Sequence, residues 1–433
     1  MDIGELIKSF GPLGVISKQS ITGAVPEDWR SRFGVVDLDA MYGAGFQAPE
    51  AAAFSVAYLL PDGELPAANG LVEGRFIQTE FNQSFEVVGY SFARDTRYDF
   101  SALRLVDMVD GSYTSSPYGD AELVIAGMQS ARIISSSGSD VVFGSSFSDT
   151  IATGLGDDRV FGGGGSDLLD GGAGWDTADY WLSMLSLTAD LQMSQFNTGD
   201  AHGDVFRSIE NLQGTRFNDD LRGDAQANQI WGGTGSDTLH GRFGDDTIVS
   251  GADDDILLGG QGADLLDGGA GVDRAAYWSS NDGLTANLQM SQFNTGDAHG
   301  DVFRSIENLQ GTRFDDDLRG DAQANQIWGG TGNDTLSGRH GTDTLIGGDG
   351  ADVFIFDASV DPDTILDFEL GKDRIDITEW KSTTYKNIEL ISQHEGGKYS
   401  LTVKSTQDDY SIIFLNLHSD PLLHLSADDF IFG

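Results

Sequence analysis

The stretch GGTGSDTLH GRFGDDTIV SGADDDILL GGQGADLLD GGAGVD, residues 232–273, divides into blocks of nine. Asp237, Asp246, Asp255, Asp264 and Asp273 fall at one place in every block. Two positions on, the side chain is apolar: Leu239, Ile248, Leu257, Leu266 and, at the end, Ala275. The register reaches back to Asp219 and Asn228. It recurs upstream at Asp140, Asp149, Asp158, Asp167 and Asp176, and downstream at Asp316, Asn325, Asp334, Asp343 and Asp352. Of these 17 slots, 15 are Asp and two are Asn. A flexible Gly/Asp linker has no reason to keep an apolar residue at one phase of a nine-residue period.

The pattern around the slots is G-G-x-G-x-D-x-U-x, with U apolar. Glycine tolerates φ > 0, so the six-residue half can turn tightly and aim its carbonyls inward. The x-U-x half is a minimal strand with one side chain pointing in. Two nonapeptides make one coil of 18 residues, and successive coils stack, so each Asp lies over the Asp two slots away. Stacked carboxylates repel unless a cation separates them. A hard ion with about six to eight oxygen ligands fits, which means Ca²⁺. Mg²⁺ demands a tighter octahedron, and the slots offer no Cys or His for Zn²⁺. All 17 slot residues are therefore candidate metal ligands. The Ser-rich turns before Asp140 and Asp149, the SGADDD turn before Asp255, and the neutral Asn228 and Asn325 mark weaker sites.

The pattern resembles the RTX (hemolysin-type) calcium-binding repeat family, whose nonapeptide is a Ca²⁺-binding β-helix repeat. The resemblance covers roughly residues 121–433. It implies an all-β, right-handed parallel β-roll (a β-solenoid) with a small β-rich N-terminal domain and a C-terminal β cap. It implies several Ca²⁺ ions, a bacterial extracellular location, and export by type I secretion machinery reading an uncleaved C-terminal signal. The expected division is residues 1–120, a roll over 121–356 with arrays at 133–178, 214–275 and 311–356, and a cap with secretion signal over 357–433. Val124 and Ile133 stand 18 and 9 residues before Val142, so the apolar phase begins ahead of the first Asp.

A longer repeat is superimposed. Leu187–Leu239 matches Leu284–Leu336 at all but three of 53 positions: Asp190/Asn287, Asn218/Asp315 and Ser236/Asn333. Each copy carries LQMSQFNTGDAHGDVFRSIENLQGT, similar to the wider coils that interrupt Ca²⁺ arrays in RTX proteins. Asp200, His202, Asp204 and Glu210, with their copies Asp297, His299, Asp301 and Glu307, read as a copied turn, with an extra Ca²⁺ site or an active site as alternatives.

At the C-terminus, VDPDTILDFELGKDRIDITEW (360–380) resembles the closing sequence after RTX arrays. Tyr399–Val403 alternates as a strand does, and Ile412–Leu415 reads as a buried strand. Asp428-Asp429-Phe430-Ile431-Phe432 resembles a type I secretion terminus. At the other end, Asp2 and Glu5 precede any apolar run, so an N-terminal secretory signal is not expected. Gly74–Phe92 reads as two strands, and Ala51–Leu60 as a short helix or a strand.

Asp plus Glu number 69 against 25 Lys plus Arg, a net charge of −44. That field repels nucleic acid and anionic membranes and draws cations. No segment reaches the ~18 apolar residues of a membrane span. Cys is absent, so no disulfide supports the fold.

A catalytic payload in residues 1–120 lacks the usual signatures. HExxH is missing, since Gly-Gly follows His394-Glu395, and GxSxG is missing around Ser91. All seven His lie at 202 or beyond, which removes the usual base for a Ser or Cys nucleophile from residues 1–120. Arg94, Asp95, Arg97, Tyr98 and Asp99 read as a solvated charged turn. The expected role is structural or adhesive, with a cell-surface glycan or another surface molecule as partner. The alternative is a small secreted enzyme, polysaccharide-modifying or hydrolytic, stabilised by the roll.

Overall fold

The computed structural model describes residues 130–135, 137–358, 361–380, 384–395, 398–407, 410–417 and 425–432, together with the strand backbones within residues 1–129. The charged group Arg94–Asp99 lies outside the described residues. The chain forms two compact units, Met1–Arg216 and Phe217–Gly433.

The first unit opens with antiparallel strands Val15–Lys18, Ala53–Ala57, Leu71–Gln78 and Gln83–Ser91. The last of these pairs with Arg104–Asp107, and there the pairing changes to parallel. One face then stacks Arg104–Asp107, Glu122–Ile125, Val141–Phe143, Arg159–Phe161, Thr177–Asp179 and Asn211–Gln213. The other stacks Ser112–Thr114, Arg132–Ile134, Thr150–Leu155, Leu168–Ala173 and Val205–Arg207. Val124 pairs in backbone register with Val142, and Ile133 with Ile151, so the nine-residue phase extends ahead of the first Asp.

The second unit is a parallel β-solenoid in the same style. Its longest face runs Asp220–Arg222, Thr238–Phe243, Ile256–Gln261, Arg274–Ala276, Asn308–Gln310, Gln326–Thr331, Thr344–Asp349 and Asp363–Ile365. Register puts Leu221, Leu239, Leu257, Ala275, Leu309, Ile327, Leu345 and Ile365 in one file, and none is exposed at all. Each large member contributes about 1.5–3 kcal/mol by burial. An unprotected last coil would leave a strand edge open. Here Ser411–Leu417 pairs with Asp363–Ile365 and carries an antiparallel hairpin with Lys398–Ser405 and Ile388–Glu395. Phe430–Ile431 covers Arg374–Asp376.

Many strands run six residues rather than the three expected. Thr238–Phe243 is typical: Leu239 and Gly241 face inward, the rest outward or partly so. The extra residues belong to the next turn, whose first glycines still pair with the coil beside them, as Gly233 does with Gly251, both at positive φ. The interior thus alternates an apolar side chain with a glycine. Among the described residues no helix is long and apolar enough to cross a membrane.

Candidate metal centre

Asp264 shows how a slot is built. Its Oδ1 accepts the main-chain N–H of Asp246, one coil back, at 2.8 Å. Its Oδ2 is buried and has no hydrogen-bond partner among the described residues. The inward glycine five residues earlier, Gly259, makes the space: a Cβ there would sit 2.2 Å from that Oδ2. Gly262 holds φ at +156°, and a Cβ on it would meet the Gly244 carbonyl at 1.8 Å. The glycines let the carbonyls of neighbouring turns close in around a carboxylate oxygen that has nothing to accept.

The same bond joins slots 18 residues apart throughout. In the second array Asp219, Asp237, Asp255 and Asp273 form one column, and Asn228, Asp246 and Asp264 another, with N–H to Oδ1 distances of 2.7–2.9 Å. The first and third arrays repeat it, from Asp140 to Asp158 to Asp176 and from Asp316 to Asp334 to Asp352, with Asp149–Asp167 and Asn325–Asp343 alongside. All 17 slot residues are at most 4% exposed. Burial, reinforced by stacked carboxylates, pushes Asp158, Asp237 and Asp246 up to about 8 and Asp334 to about 7; burial, with the charges of Asp245 and Asp297, pushes Asp264 to about 6. Such groups hold a proton or need a positive charge beside them.

The slots are not equal. Oδ2 lacks a hydrogen-bond partner at Asp158, Asp167, Asp176, Asp237, Asp246, Asp255, Asp264, Asp273, Asp334, Asp343 and Asp352. In nine of these a glycine five residues earlier leaves room, its absent Cβ falling 2.1–2.6 Å from the oxygen. Thr153 and Ser250 take that place before Asp158 and Asp255; their hydroxyls donate to the Gly171 and Gly268 carbonyls and lie close enough to the carboxylates to offset part of the rise that burial causes. Elsewhere the protein closes the slot itself. Ser145 donates its N–H and hydroxyl to Asp149, and Thr312 does the same for Asp316. Asn228 and Asn325 accept from Asp224 and Asp321, and Arg242 and Arg339 donate to the carbonyls of Gly223 and Gly320 in the same turns.

Other carboxylates join the columns without the nine-residue spacing. Asp204 and Asp301 accept the N–H of Asp167 and Asp264 across 37 residues. Glu210 and Glu307 accept those of Asp176 and Asp273 across 34. Asp363 and Asp373 continue the columns from Asp343 and Asp352 across 20 and 21. A fixed period misses all six. What they share with the slots is the apolar residue two positions on: Phe206, Phe303, Leu212, Leu309, Ile365 and Ile375. The Asp-x-His-x-Asp groups do not assemble, because Asp204 and Asp301 are buried while His202 and His299 are exposed. Among the described residues, no three or more His, Asp or Glu side chains converge on one metal position. Carboxylates arrive in pairs, and turn carbonyls must complete any shell. That donor set, all oxygen around an orphaned buried anion, suits a hard cation.

The family of the RTX calcium-binding nonapeptide repeat (4 copies) matches residues 134–169, 153–180, 213–248, 240–275, 305–336 and 319–354. The chain carries RTX calcium-binding repeats. No curated protein matches the chain. Among solved structures, the AlgE6R3 subunit of the Azotobacter vinelandii mannuronan C5-epimerase is 29% identical, over 28% of this chain and 79% of that one, with a TM-score of 0.20. The extracellular lipase LipA from Serratia marcescens is 19% identical, over 50% of this chain and 40% of that one, with a TM-score of 0.18. The roll is therefore established by this chain's own strand register, and the RTX repeats account for the positions of its glycines and carboxylates.

Proposed function

We propose that the buried carboxylate columns bind several Ca²⁺ ions, and that binding folds the RTX roll once the chain is outside the cell. The ligands are the slot carboxylates whose Oδ2 has no hydrogen-bond partner among the described residues, used in stacked pairs, with turn carbonyls completing each shell. The observation that carries this role is the set of eleven buried slot Oδ2 atoms without a hydrogen-bond partner among the described residues. A bound Ca²⁺ supplies the positive charge that lets stacked carboxylates stay ionised. The chain's part is to preorganise them: in these eleven slots Oδ1 is held by the main-chain N–H of the slot 18 residues earlier, which leaves Oδ2 to the ion.

Extracellular Ca²⁺ modules have Kd on the order of 10⁻⁴–10⁻³ M, far above cytosolic free Ca²⁺. A chain of net charge −44 therefore stays open inside the cell and closes outside. In this role the protein is a bacterial secreted or surface protein, exported by type I machinery that reads its C-terminal segment. It serves structurally or adhesively, against a surface glycan or another surface molecule.

The test is circular dichroism of the full chain in chelator and in millimolar Ca²⁺. The expected result is a cooperative gain of β signal with Ca²⁺ that Mg²⁺ does not reproduce. A spectrum equally β-rich in chelator, with an unchanged thermal midpoint, overturns the role.

A further inference from the structure

Each duplicated segment ends a column with a side-chain hydroxyl from a tyrosine. Asp301 places Oδ1 on the N–H of Asp264 at 3.0 Å, as any slot does. Its Oδ2 accepts the hydroxyl of Tyr277 at 2.6 Å. Asp204 is bound in the same manner, Oδ1 to the Asp167 N–H at 2.9 Å and Oδ2 to the Tyr180 hydroxyl at 2.7 Å. Both tyrosines are buried, 2% and 3% exposed, and their rings pack as core. Asp167 and Asp264, the partners across the step, keep the orphaned Oδ2 of an array slot.

The tyrosine directly follows the strand after the last slot of the array, Thr177–Asp179 or Arg274–Ala276. Tyr180 and Tyr277 each stand four residues beyond Asp176 and Asp273. The wide coil, 37 residues instead of 18, gives that strand's end room to turn its hydroxyl back into the column. A phenol supplies one neutral O–H where a cation supplies charge and an open shell. One hydrogen bond satisfies the oxygen that is orphaned elsewhere, and the ring fills the space beside it.

We propose that Tyr180 and Tyr277 close the Asp167–Asp204 and Asp264–Asp301 steps without a metal ion, so that each wide coil is a calcium-independent seal at the end of a calcium-binding column. The proposal rests on the calcium role above and assigns which stacked carboxylate pairs are not metal sites. The copied segment then supplies a piece of roll that is hydrogen-bonded shut before any ion arrives, beside coils that need ions to close.

The test is calorimetric Ca²⁺ titration of the full chain, comparing wild type with Asp255→Asn, Asp301→Asn and Tyr277→Phe, each checked by circular dichroism at saturating Ca²⁺. Asp255→Asn is expected to lose at least one bound ion per chain, and Asp301→Asn none. Tyr277→Phe keeps the ring and removes the donor, and is expected to gain one. Loss of an ion in Asp301→Asn comparable to that in Asp255→Asn, or an unchanged count in folded Tyr277→Phe, overturns the seal while leaving the calcium role intact. If Tyr277→Phe does not fold, Asp301→Asn decides alone. No bound Ca²⁺ in wild type defeats both the seal and the role beneath it.

Discussion

The main-chain N–H of Asp246 donates to Oδ1 of Asp264 at 2.8 Å, while Oδ2 of both carboxylates is buried without a hydrogen-bond partner among the described residues. One oxygen of each anion is thus used to hold the coils together, and the other has no hydrogen-bond partner among the described residues.

That division sets a stoichiometry. Stacked pairs in which both Oδ2 atoms are orphaned are Asp158/Asp176, Asp237/Asp255, Asp246/Asp264, Asp255/Asp273 and Asp334/Asp352. Calorimetry should therefore find about five well-bound Ca²⁺ ions per chain, with the eleven orphaned oxygens as an upper bound. At tenfold above Kd each site contributes about 1.4 kcal/mol, so five contribute about 7 kcal/mol. That is comparable to a domain's whole stability of ~5–15 kcal/mol, enough to decide between open and folded. A count of zero or one contradicts the assignment.

Asp264→Ala and Asn228→Ala should separate charge from scaffold. Asp264→Ala removes a ligand from the Asp246 pair and should raise the Ca²⁺ midpoint of folding roughly tenfold, about 1.4 kcal/mol. Asn228 hydrogen-bonds within its own turn, to Asp224. Its loss should lower stability by about 1 kcal/mol equally at low and high Ca²⁺. Equal shifts of the Ca²⁺ midpoint in the two variants would refute this ranking.

Gly259→Ala tests the cradle directly. The new Cβ falls 2.2 Å from Asp264 Oδ2 and 2.9 Å from its Cγ, so the carboxylate has to move. The Ca²⁺ midpoint should rise as much as in Asp264→Ala. Gly371→Ala is the control: its φ is +74° and nothing lies within 4 Å of the added atom. It should cost only backbone strain of about 1–2 kcal/mol, independent of Ca²⁺. A Gly259→Ala protein with normal Ca²⁺ dependence would show that the space is not used.

Protons should substitute in part for the ion. In chelator, burial and stacking hold Asp158, Asp237 and Asp246 up at about 8, against about 3.9 in the unfolded chain. A raised carboxyl pKa means that the folded state binds the proton more tightly. The resulting stability is complete below the unfolded value and is lost as pH rises through the folded one. Without Ca²⁺ the roll should therefore melt higher at pH 5 than at pH 8.5. With Ca²⁺ the apparent affinity should fall on acidification, as protons compete for the same oxygens. Chelator-treated protein whose midpoint rises from pH 5 to pH 8.5 would contradict both statements.

Much of this was legible in the residues alone. A nine-residue period with Asp at one phase and an apolar side chain two positions later specifies coil, core and ligand together, because each coil repeats the same local steric problem. That Asn228 and the slot after the Ser-rich turn, Asp149, differ from the full-motif slots could be read as well; in the structure both are hydrogen-bonded within their own turns. The positions at 34, 37, 20 and 21 residues could not. Membership of a column depends on which backbone N–H a carboxylate meets after the chain has looped out and returned, and loop length carries no record of that.

The sequence by itself determined the repeat, the parallel roll and the all-oxygen chemistry of its slots, since these follow from glycine's freedom, side-chain alternation and stacked charge. The tertiary structure alone decided which oxygens are already satisfied. Asp200 and Asp204 are equivalent as letters in Asp-x-His-x-Asp, yet only Asp204 is turned inward onto the Asp167 N–H and the Tyr180 hydroxyl. Tyr180 is an ordinary core aromatic until the wide coil brings Asp204 across 24 residues to meet it. Hydrogen-bond partners are set by packing in three dimensions, and whether a buried anion needs a cation depends on those partners.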